Sequence, residues 1–399
     1  MARLAPEGSR TLVGQLGLQG FLSFGPERTN LTLGPLNVFV GANGCGKSNV
    51  VEAFEVLRAV SSDLSRPLGR GGSVDDWLWH GMDGSRADRA TLAVRIESGE
   101  VNKKPVLYTL TYGSQRGQVL VLDERVENAE VSPRREKPFL FFGYEKGVPR
   151  ISSKVGSKRS LKVAELDRRQ SVLSQYREPE LYPELRELAR RLGNIAIYRS
   201  WEFGPTAKVR EGAQASASTE RLSERFDNLP QMVSEMKRDT QVHQALKDAL
   251  ADLAPGFSDI VTYTEGARLR VALKQGEREV PAERLSDGTL RYLCLLAILL
   301  LPKRSSLIVI EEPELGLHPD ASSSLCDLLV SASQETQLVV TTHSTVLLDA
   351  LTNHANAVVA VDKDGDATSF VRLNQGDVDE HDEGLGSLWM RGAIGGVRW

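Results

Sequence analysis

Eight consecutive residues, Gly41-Ala42-Asn43-Gly44-Cys45-Gly46-Lys47-Ser48, satisfy the pattern G-x-x-x-x-G-K-[ST] at every specified position. A loop of this composition is suited to holding phosphate. Its glycines let the backbone wrap closely enough for N–H groups to point at the oxygens, while Lys47 reaches the β/γ-phosphates and Ser48 holds Mg²⁺. Gly41, Asn43, Gly44, Gly46, Lys47, Ser48 and Asn49 are the expected phosphate contacts. Phosphate chemistry then needs a carboxylate for the metal and a base for water. The run Leu307-Ile308-Val309-Ile310-Glu311-Glu312 carries both to the end of an apolar strand, where Glu311 orients Mg²⁺ through water and Glu312 polarises the attacking water. Three more pieces fit the same chemistry. His343 ends the strand expected at 338–342 and is in a position to meet a γ-phosphate. Ser286 and Gly288, in Leu285-Ser286-Asp287-Gly288-Thr289, open an apolar helix whose freed N–H groups can meet an anion. Residues 314–319 follow the carboxylate pair and are in a position to cross a subunit boundary.

The elements around these residues follow from periodicity. The apolar run 36–40 reads as a strand, and 48–60 as a helix with Val51, Phe54, Glu55 and Arg58 at helical spacing, so the phosphate loop has the strand before it and the helix after it that it requires. Residues 11–40 read as short strands feeding the loop, with Phe21 and Phe24 as core residues or, alternatively, a platform for adenine. Residues 61–89 read as a surface loop with a packed aromatic tip at Trp77-Leu78-Trp79-His80, and 90–127 as an antiparallel meander. Between 134 and 169, eleven Lys or Arg face four Asp or Glu. That stripe either tracks a nucleic-acid backbone or forms a solvated face. Helical spacing appears at 161–192 and 229–253, with a loop at 204–218 expected to be mobile or ordered by a partner. Beyond Pro255, strands near 269–273, 307–310, 338–341 and 357–361 alternate with helices, which predicts an α/β architecture around a largely parallel sheet. The expected division is 1–130 and 260–399 as the two parts of a catalytic head, with 131–259 as a helical, basic insert lobe between them.

Composition narrows the class. The 399 residues carry 41% hydrophobic and 26% charged side chains and a net charge of -4, which excludes a uniformly basic nucleic-acid binder but not a local basic patch. Cys45, Cys294 and Cys326 lack metal-ligand spacing, and the chain opens without a signal-peptide pattern, so a cytoplasmic setting is expected. The most apolar run, 292–301, is far short of the roughly 20 residues that span a bilayer, and no membrane segment is expected.

Taken together, these motifs resemble the ATP-binding-cassette ATPases of the RecF/SMC branch, and within it the stand-alone ATPases related to the ATPase half of OLD-family nucleases. The resemblance rests on a Walker A loop at 41–48, a signature motif at 285–289, a Walker B strand ending Glu311-Glu312-Pro313-Glu314, a D-loop-like segment at 315–319, and a switch histidine in Thr341-Thr342-His343-Ser344. It implies a P-loop NTPase fold of ABC head type with an antiparallel meander and a helical insert. It also implies ATP and Mg²⁺ as ligands and a homodimer that sandwiches two ATP molecules, so that Ser286 and Gly288 of one protomer touch the γ-phosphate held by Lys47 of its mate. Lys47, Glu312 and His343 are the implied catalytic residues.

Two departures stand out: the signature reads Ser-Asp-Gly-Thr where the best-known form is Ser-Gly-Gly-Gln, and Glu311 replaces the more frequent Asp. Gln115, Gln118 and Gln170 are the candidates for the Q-loop glutamine. The expected function is ATP hydrolysis coupled to DNA engagement in repair or anti-phage defence. The alternative is an ATP-gated module controlling a partner effector such as a toxin or nuclease. The 236 residues between Ser48 and Leu285 argue against a transporter cassette, and the 56 residues after His343 are too few for an appended Toprim nuclease domain.

Overall fold

Leu36–Val40 is buried at all five positions, as befits a parallel strand with neighbours on both edges and cover on both faces. In the computed structural model, which describes residues 11–133, 136–153, 158–160, 166–214, 216–253, 256–301, 305–379 and 383–394, it is the fourth strand of a six-stranded sheet. The order is Ile195–Tyr198, Leu307–Glu311, Gln337–Thr342, Leu36–Val40, Val358–Asp364 and Ala367–Arg372. The first five strands are parallel and the sixth returns antiparallel.

Side-chain alternation sorts this sheet into two cores. Phe39, Val309 and Val339 pack with Val50, Phe54 and Leu57 of the helix Lys47–Ala59. Val38, Ile308, Ile310 and Val340 face the opposite side, against Leu293 and Leu296 of the helix Asp287–Leu299 and Leu325 and Leu329 of the helix Ala321–Ser333. Each such side chain contributes roughly 1.5–3 kcal/mol by burial. A one-residue slip would exchange the two sets, so the register is strongly specified.

A second, eight-stranded sheet covers the first core and is antiparallel throughout. Its order is Thr29–Thr32, Val13–Gln19, Ala90–Ile96, Val106–Gln115, Gln118–Asn128, Leu140–Glu145, Val148–Ser152 and Lys158–Ser160. The meander expected at 90–127 is its centre. Gln337, fully buried at the start of its strand, ties the two sheets: its Nε2 donates to Val13 O (2.8 Å) and Gly34 O (2.9 Å), and its Oε1 accepts from Leu12 N and Val13 N. Phe21 and Phe24 are fully buried with ring centroids 6.4 Å apart, and Phe21 lies against Trp77. They are core residues.

The middle of the chain differs from the expected separate, mainly helical lobe at 131–259. Its first strands extend the eight-stranded sheet, and Ile195–Tyr198 is an edge of the core sheet itself. The reason is pairing: Leu140–Glu145 continues the meander by pairing with the strands just before and after it, while Ile195–Tyr198 acquires a strand neighbour more than a hundred residues away. Helices do appear at Pro183–Gly193, Leu229–Met236 and Thr240–Leu253. The strand expected near 269–273 is Arg268–Gln275. It lies outside the core sheet and pairs antiparallel with Asp259–Glu265, Ala213–Gln214 and Arg278–Pro281.

The stretch 204–218, expected to be mobile or ordered by a partner, is anchored to the rest of the chain between 209 and 213. Val209, Arg210 and Ala213 are buried, and Lys208–Glu211 is a single helical turn. Of the basic stripe, Arg134, Arg135, Lys154 and Lys162 lie outside the described residues. Arg168 binds the Val121 carbonyl twice, at 3.0 and 3.1 Å, and so serves the sheet. Among the described residues, no helix is long and apolar enough to cross a membrane.

Candidate functional site

The carboxyl ends of four neighbouring parallel strands bring the site together. Val40 leads into the phosphate loop, Glu311 ends its strand, Thr342 leads into His343, and Tyr198 leads into Arg199. This is the edge at which open α/β sheets bind ligands.

Glycine is required in the loop for stated reasons. Gly46 has φ 113 and Gly44 has φ 75, both in the left-handed half of the map. A Cβ on Gly46 would come closer than 3.0 Å to Thr368 Oγ1 and Ser23 Oγ, whereas a Cβ on Gly44 would meet nothing within 4 Å. The loop is therefore braced from behind and open in front. Thr368 Oγ1 lies 2.7 Å from both Cys45 O and Ser23 Oγ, and Asn49 Nδ2 donates to Ser23 Oγ (2.6 Å). Asn49 thus supports the loop's rear wall in addition to its expected ligand role.

Lys47 is 4% exposed, and its ammonium donates to Gly41 O (2.7 Å) and Ala42 O (2.9 Å). Burial lowers its pKa, against the opposing pull of Cys45, Glu312 and Glu311. A buried cation whose donors rest on neutral carbonyls, behind an open, glycine-lined mouth, fits a phosphate. Ser48 is exposed at the first turn of the helix. Among the described residues, no group of three or more His, Cys, Asp or Glu side chains is arranged to hold a metal ion. The donor set suits an ion held chiefly by phosphate oxygens, with Ser48 and a carboxylate completing it, as is usual for Mg²⁺.

The two carboxylates divide. Glu312 Oε1 lies 3.2 Å from His343 Nε2. Glu312 has φ 48, a left-handed conformation that costs a non-glycine residue roughly 1–2 kcal/mol, and its N–H donates to Thr341 O (3.0 Å). Burial and the nearby Lys47 charge lower the His343 pKa below its ordinary 6.5, while Glu312 opposes them. The ring is therefore mostly neutral at pH 7.

Glu311 instead pairs with Arg199 Nε at 3.2 Å. The same guanidinium reaches Glu52 Oε1 (2.6 Å) and Glu55 Oε1 (3.4 Å) on the helix behind the loop. Arg199 escaped the sequence reading, although it follows an apolar strand just as Glu311 does. Glu314, placed by the sequence at the end of the carboxylate run and the start of segment 314–319, has a further part. It accepts from Thr342 Oγ1 (2.6 Å) and His343 N (3.2 Å), joining the carboxylate loop to the histidine loop, and burial raises its pKa.

Ser286 is the N-cap of the helix Asp287–Leu299, with its Oγ accepting from Thr289 N (3.1 Å). Ser286 is exposed. With Gly288 and Thr289 it lines a groove completed by Gly316, Leu317, His318 and Pro319, and no phosphate-loop residue is among the groove's described walls. Gln170 is engaged elsewhere, donating to Asp63 Oδ1 (2.8 Å) and accepting from Leu64 N (3.1 Å). Gln115 and Gln118 face each other across a hairpin of the eight-stranded sheet.

Known proteins agree with this architecture. The family described as "AAA domain, putative AbiEii toxin, Type IV TA system" matches residues 36–349. The OLD nuclease of Thermus scotoductus is 24% identical over 358 residues, covering 87% of this chain and 62% of that protein. The Old nuclease of Escherichia phage P2 is 42% identical over 67 residues, which are 16% of this chain and 11% of that protein. The chain therefore spans about three fifths of the first relative's length. Among solved structures, an Smc head bound to the C-winged helix domain of ScpA superposes with TM-score 0.58 at 16% identity, covering 93% of this chain and all of that one. The Smc head of Pyrococcus furiosus, with an extended coiled coil and bound to the C-terminal domain of ScpA, gives 0.57 at 14% identity, covering 92% of this chain and 98% of that one. With the phosphate loop, the paired carboxylates and the histidine all on one edge of a sheet that shares the fold of Smc heads, the chain belongs to this AAA-domain family of P-loop proteins and is similar in sequence to OLD nuclease.

Proposed function

We propose that the chain binds and hydrolyses ATP in a site completed by a second copy of itself. One observation carries this reading: Lys47, Glu312 and His343 gather at one sheet edge, while the serine-capped helix opens into a different groove beside Gly316–Pro319. A single chain thus holds two unlike halves, and two chains related by a twofold axis would join each half to its complement. In this reading Lys47 holds the β/γ-phosphates, Ser48 and Glu311 hold Mg²⁺, Glu312 takes the proton of the attacking water, and neutral His343 donates to the γ-phosphate. Mg²⁺ would neutralise charge on the phosphate oxygens. Gly41, Asn43, Gly44, Gly46, Asn49, Ser286 and Gly288 complete the nucleotide contacts. For Glu311 to serve the metal, its carboxylate must be shared with Arg199 or released by it.

DNA is the effector we favour. Support comes from the relationship to proteins named as nucleases. The alternative, an ATP-gated regulator of a partner toxin or nuclease, draws less support from this loop because Val209, Arg210 and Ala213 are buried in the chain itself. Three free, buried cysteines are compatible with a cytoplasmic protein. We read 1–130 and 260–399 as the head and 131–259 as a segment woven into it.

Gel filtration of Glu312→Gln with and without MgATP tests the shared site. The variant is expected to elute as a dimer only with ATP and to hydrolyse about 10²–10⁴-fold more slowly. A monomer under all conditions, or wild-type turnover, contradicts the proposal. Turnover measured with and without DNA ends, at two salt concentrations, tests the effector.

A further inference from the structure

Arg210 is 8% exposed, on the single helical turn Lys208–Glu211, and its guanidinium reaches the approach to the signature helix on one side and Phe203 on the other. Its Nη1 donates to Ala282 O (2.9 Å), Glu283 O (3.2 Å) and Leu285 O (2.9 Å), its Nη2 pairs with Asp287 Oδ1 (2.6 Å), and its Nε donates to Phe203 O (2.8 Å). Three carbonyls of the turn Ala282–Arg284 and its exit, those of Ala282, Glu283 and Leu285, are thereby held by one planar fork. That turn sets Leu285 at φ -74 and ψ 149 and Ser286 at φ -65 and ψ 156, the extended geometry from which Ser286 caps its helix. The Asp that stands at 287 in place of the commoner glycine thus has a structural partner.

The strap leading to Arg210 begins in the other half-site. Arg199 pairs with Glu311, and Trp201 Nε1 donates to the Glu311 carbonyl at 2.7 Å. Phe226 packs against both Trp201 and Phe203, with centroids 5.3 Å from each and those two rings 6.2 Å apart, and Phe203 supplies the carbonyl that Arg210 binds. We propose that Arg210 is the positioning residue of Ser286, and that the strap 199–210 mechanically links Glu311 to the serine that serves the mate's triphosphate. Metal-side events at one nucleotide then reach the other through a short series of packed aromatic rings and hydrogen bonds rather than through the dimer interface alone.

The inference rests on the two-protomer reading, and the test separates the two. Lys47→Ala protein is mixed in turn with Ser286→Ala, Arg210→Met and Glu312→Gln, and ATP turnover is followed. Mixing with Ser286→Ala regenerates one intact composite site and restores hydrolysis. Arg210→Met is expected to behave like Ser286→Ala: alone it loses roughly tenfold or more in turnover, it complements Lys47→Ala, and it binds a fluorescent ATP analogue as wild type does. Arg210→Lys, which lacks the fork, is expected to recover only part of the activity. Glu312→Gln damages the same half-site as Lys47→Ala, so that mixture stays inactive. Recovery with Ser286→Ala but not with Arg210→Met, or loss of nucleotide binding by a folded Arg210→Met, overturns the role given to Arg210 and leaves the sandwich standing. No recovery with Ser286→Ala overturns the two-protomer reading itself. If circular dichroism shows Arg210→Met to be unfolded, Asp287→Asn takes its place, since that side chain is 68% exposed. Full turnover in Asp287→Asn would then count against the proposal.

Discussion

Replacing Lys47 by Met separates the part the ammonium plays in folding from the part it plays in binding. Lys47 is 4% exposed and its charge rests on two loop carbonyls, with burial the largest influence on its pKa. Losing two charge-assisted bonds costs about 1.5–3 kcal/mol each, while removing a buried charge returns a desolvation penalty of several kcal/mol. The two effects oppose one another at similar size, so the Tm of the free protein should move by no more than about 2–4 °C, the equivalent of roughly 1 kcal/mol in a larger domain. Nucleotide affinity changes differently. If the ammonium exchanges two neutral carbonyls for two anionic phosphate oxygens, Met forfeits the difference, about 1.5–3 kcal/mol, or roughly 10–10² in Kd. Differential scanning calorimetry of the free protein and titration with a fluorescent ATP analogue in Mg²⁺ read the two quantities independently. A large fall in Tm would mean that the lysine is a structural residue of the loop, and an unchanged Kd would remove it from phosphate binding. Either result refutes the assignment.

Further substitutions probe the braces around the site and the larger sheet. Gly46→Ala places a Cβ at φ 113 against Thr368 and Ser23, so beyond the roughly 1–2 kcal/mol of backbone strain it should push the loop forward and abolish ATP binding, seen as a lower Tm that ATP no longer raises. Glu314→Ala leaves the buried Thr342 hydroxyl and the His343 N–H without their acceptor. It should destabilise by about 1–3 kcal/mol and lower turnover more than ATP affinity, and equal effects on both would argue against its linking role. Glu124 is a fully enclosed carboxyl, bonded by Tyr108 OH (2.7 Å), Ser171 Oγ and Val172 N (2.8 Å), and burial pushes its pKa up to about 7. The folded state therefore holds this proton more tightly than the unfolded chain. The associated stability is complete below the ordinary 4.5 and is lost as pH rises through about 7, a difference of about 3 kcal/mol. Denaturant midpoints from pH 5 to 8 should fall in wild type and fall less in Glu124→Gln, and parallel slopes in the two proteins would rule the carboxyl out as the source.

The amino-acid sequence alone settled whatever depends on neighbours along the chain. The phosphate loop, its strand Leu36–Val40 and its helix Lys47–Ala59 are local: glycine spacing, a buried apolar run and helical periodicity each act within a dozen residues. The same holds for Leu307–Glu311 delivering two carboxylates to a sheet edge and for the serine cap at Ser286. Long-range pairing was hidden. Ile195–Tyr198 carries too little pattern to announce that it joins a strand more than a hundred residues away, and Leu140–Glu145 and Val148–Ser152 become strands because the edge of the meander is there to pair with them. Polar partners were hidden for the same reason. Arg199 with Glu52 and Glu311, Arg210 with Leu285 and Asp287, and Gln337 with Val13 and Gly34 are matched by geometry across gaps of tens to hundreds of residues. A side chain's type advertises that it needs a partner when buried. Which partner it finds depends on where the backbone folds, because the cost of burying an unpaired charge is settled only when the surrounding elements have closed over it.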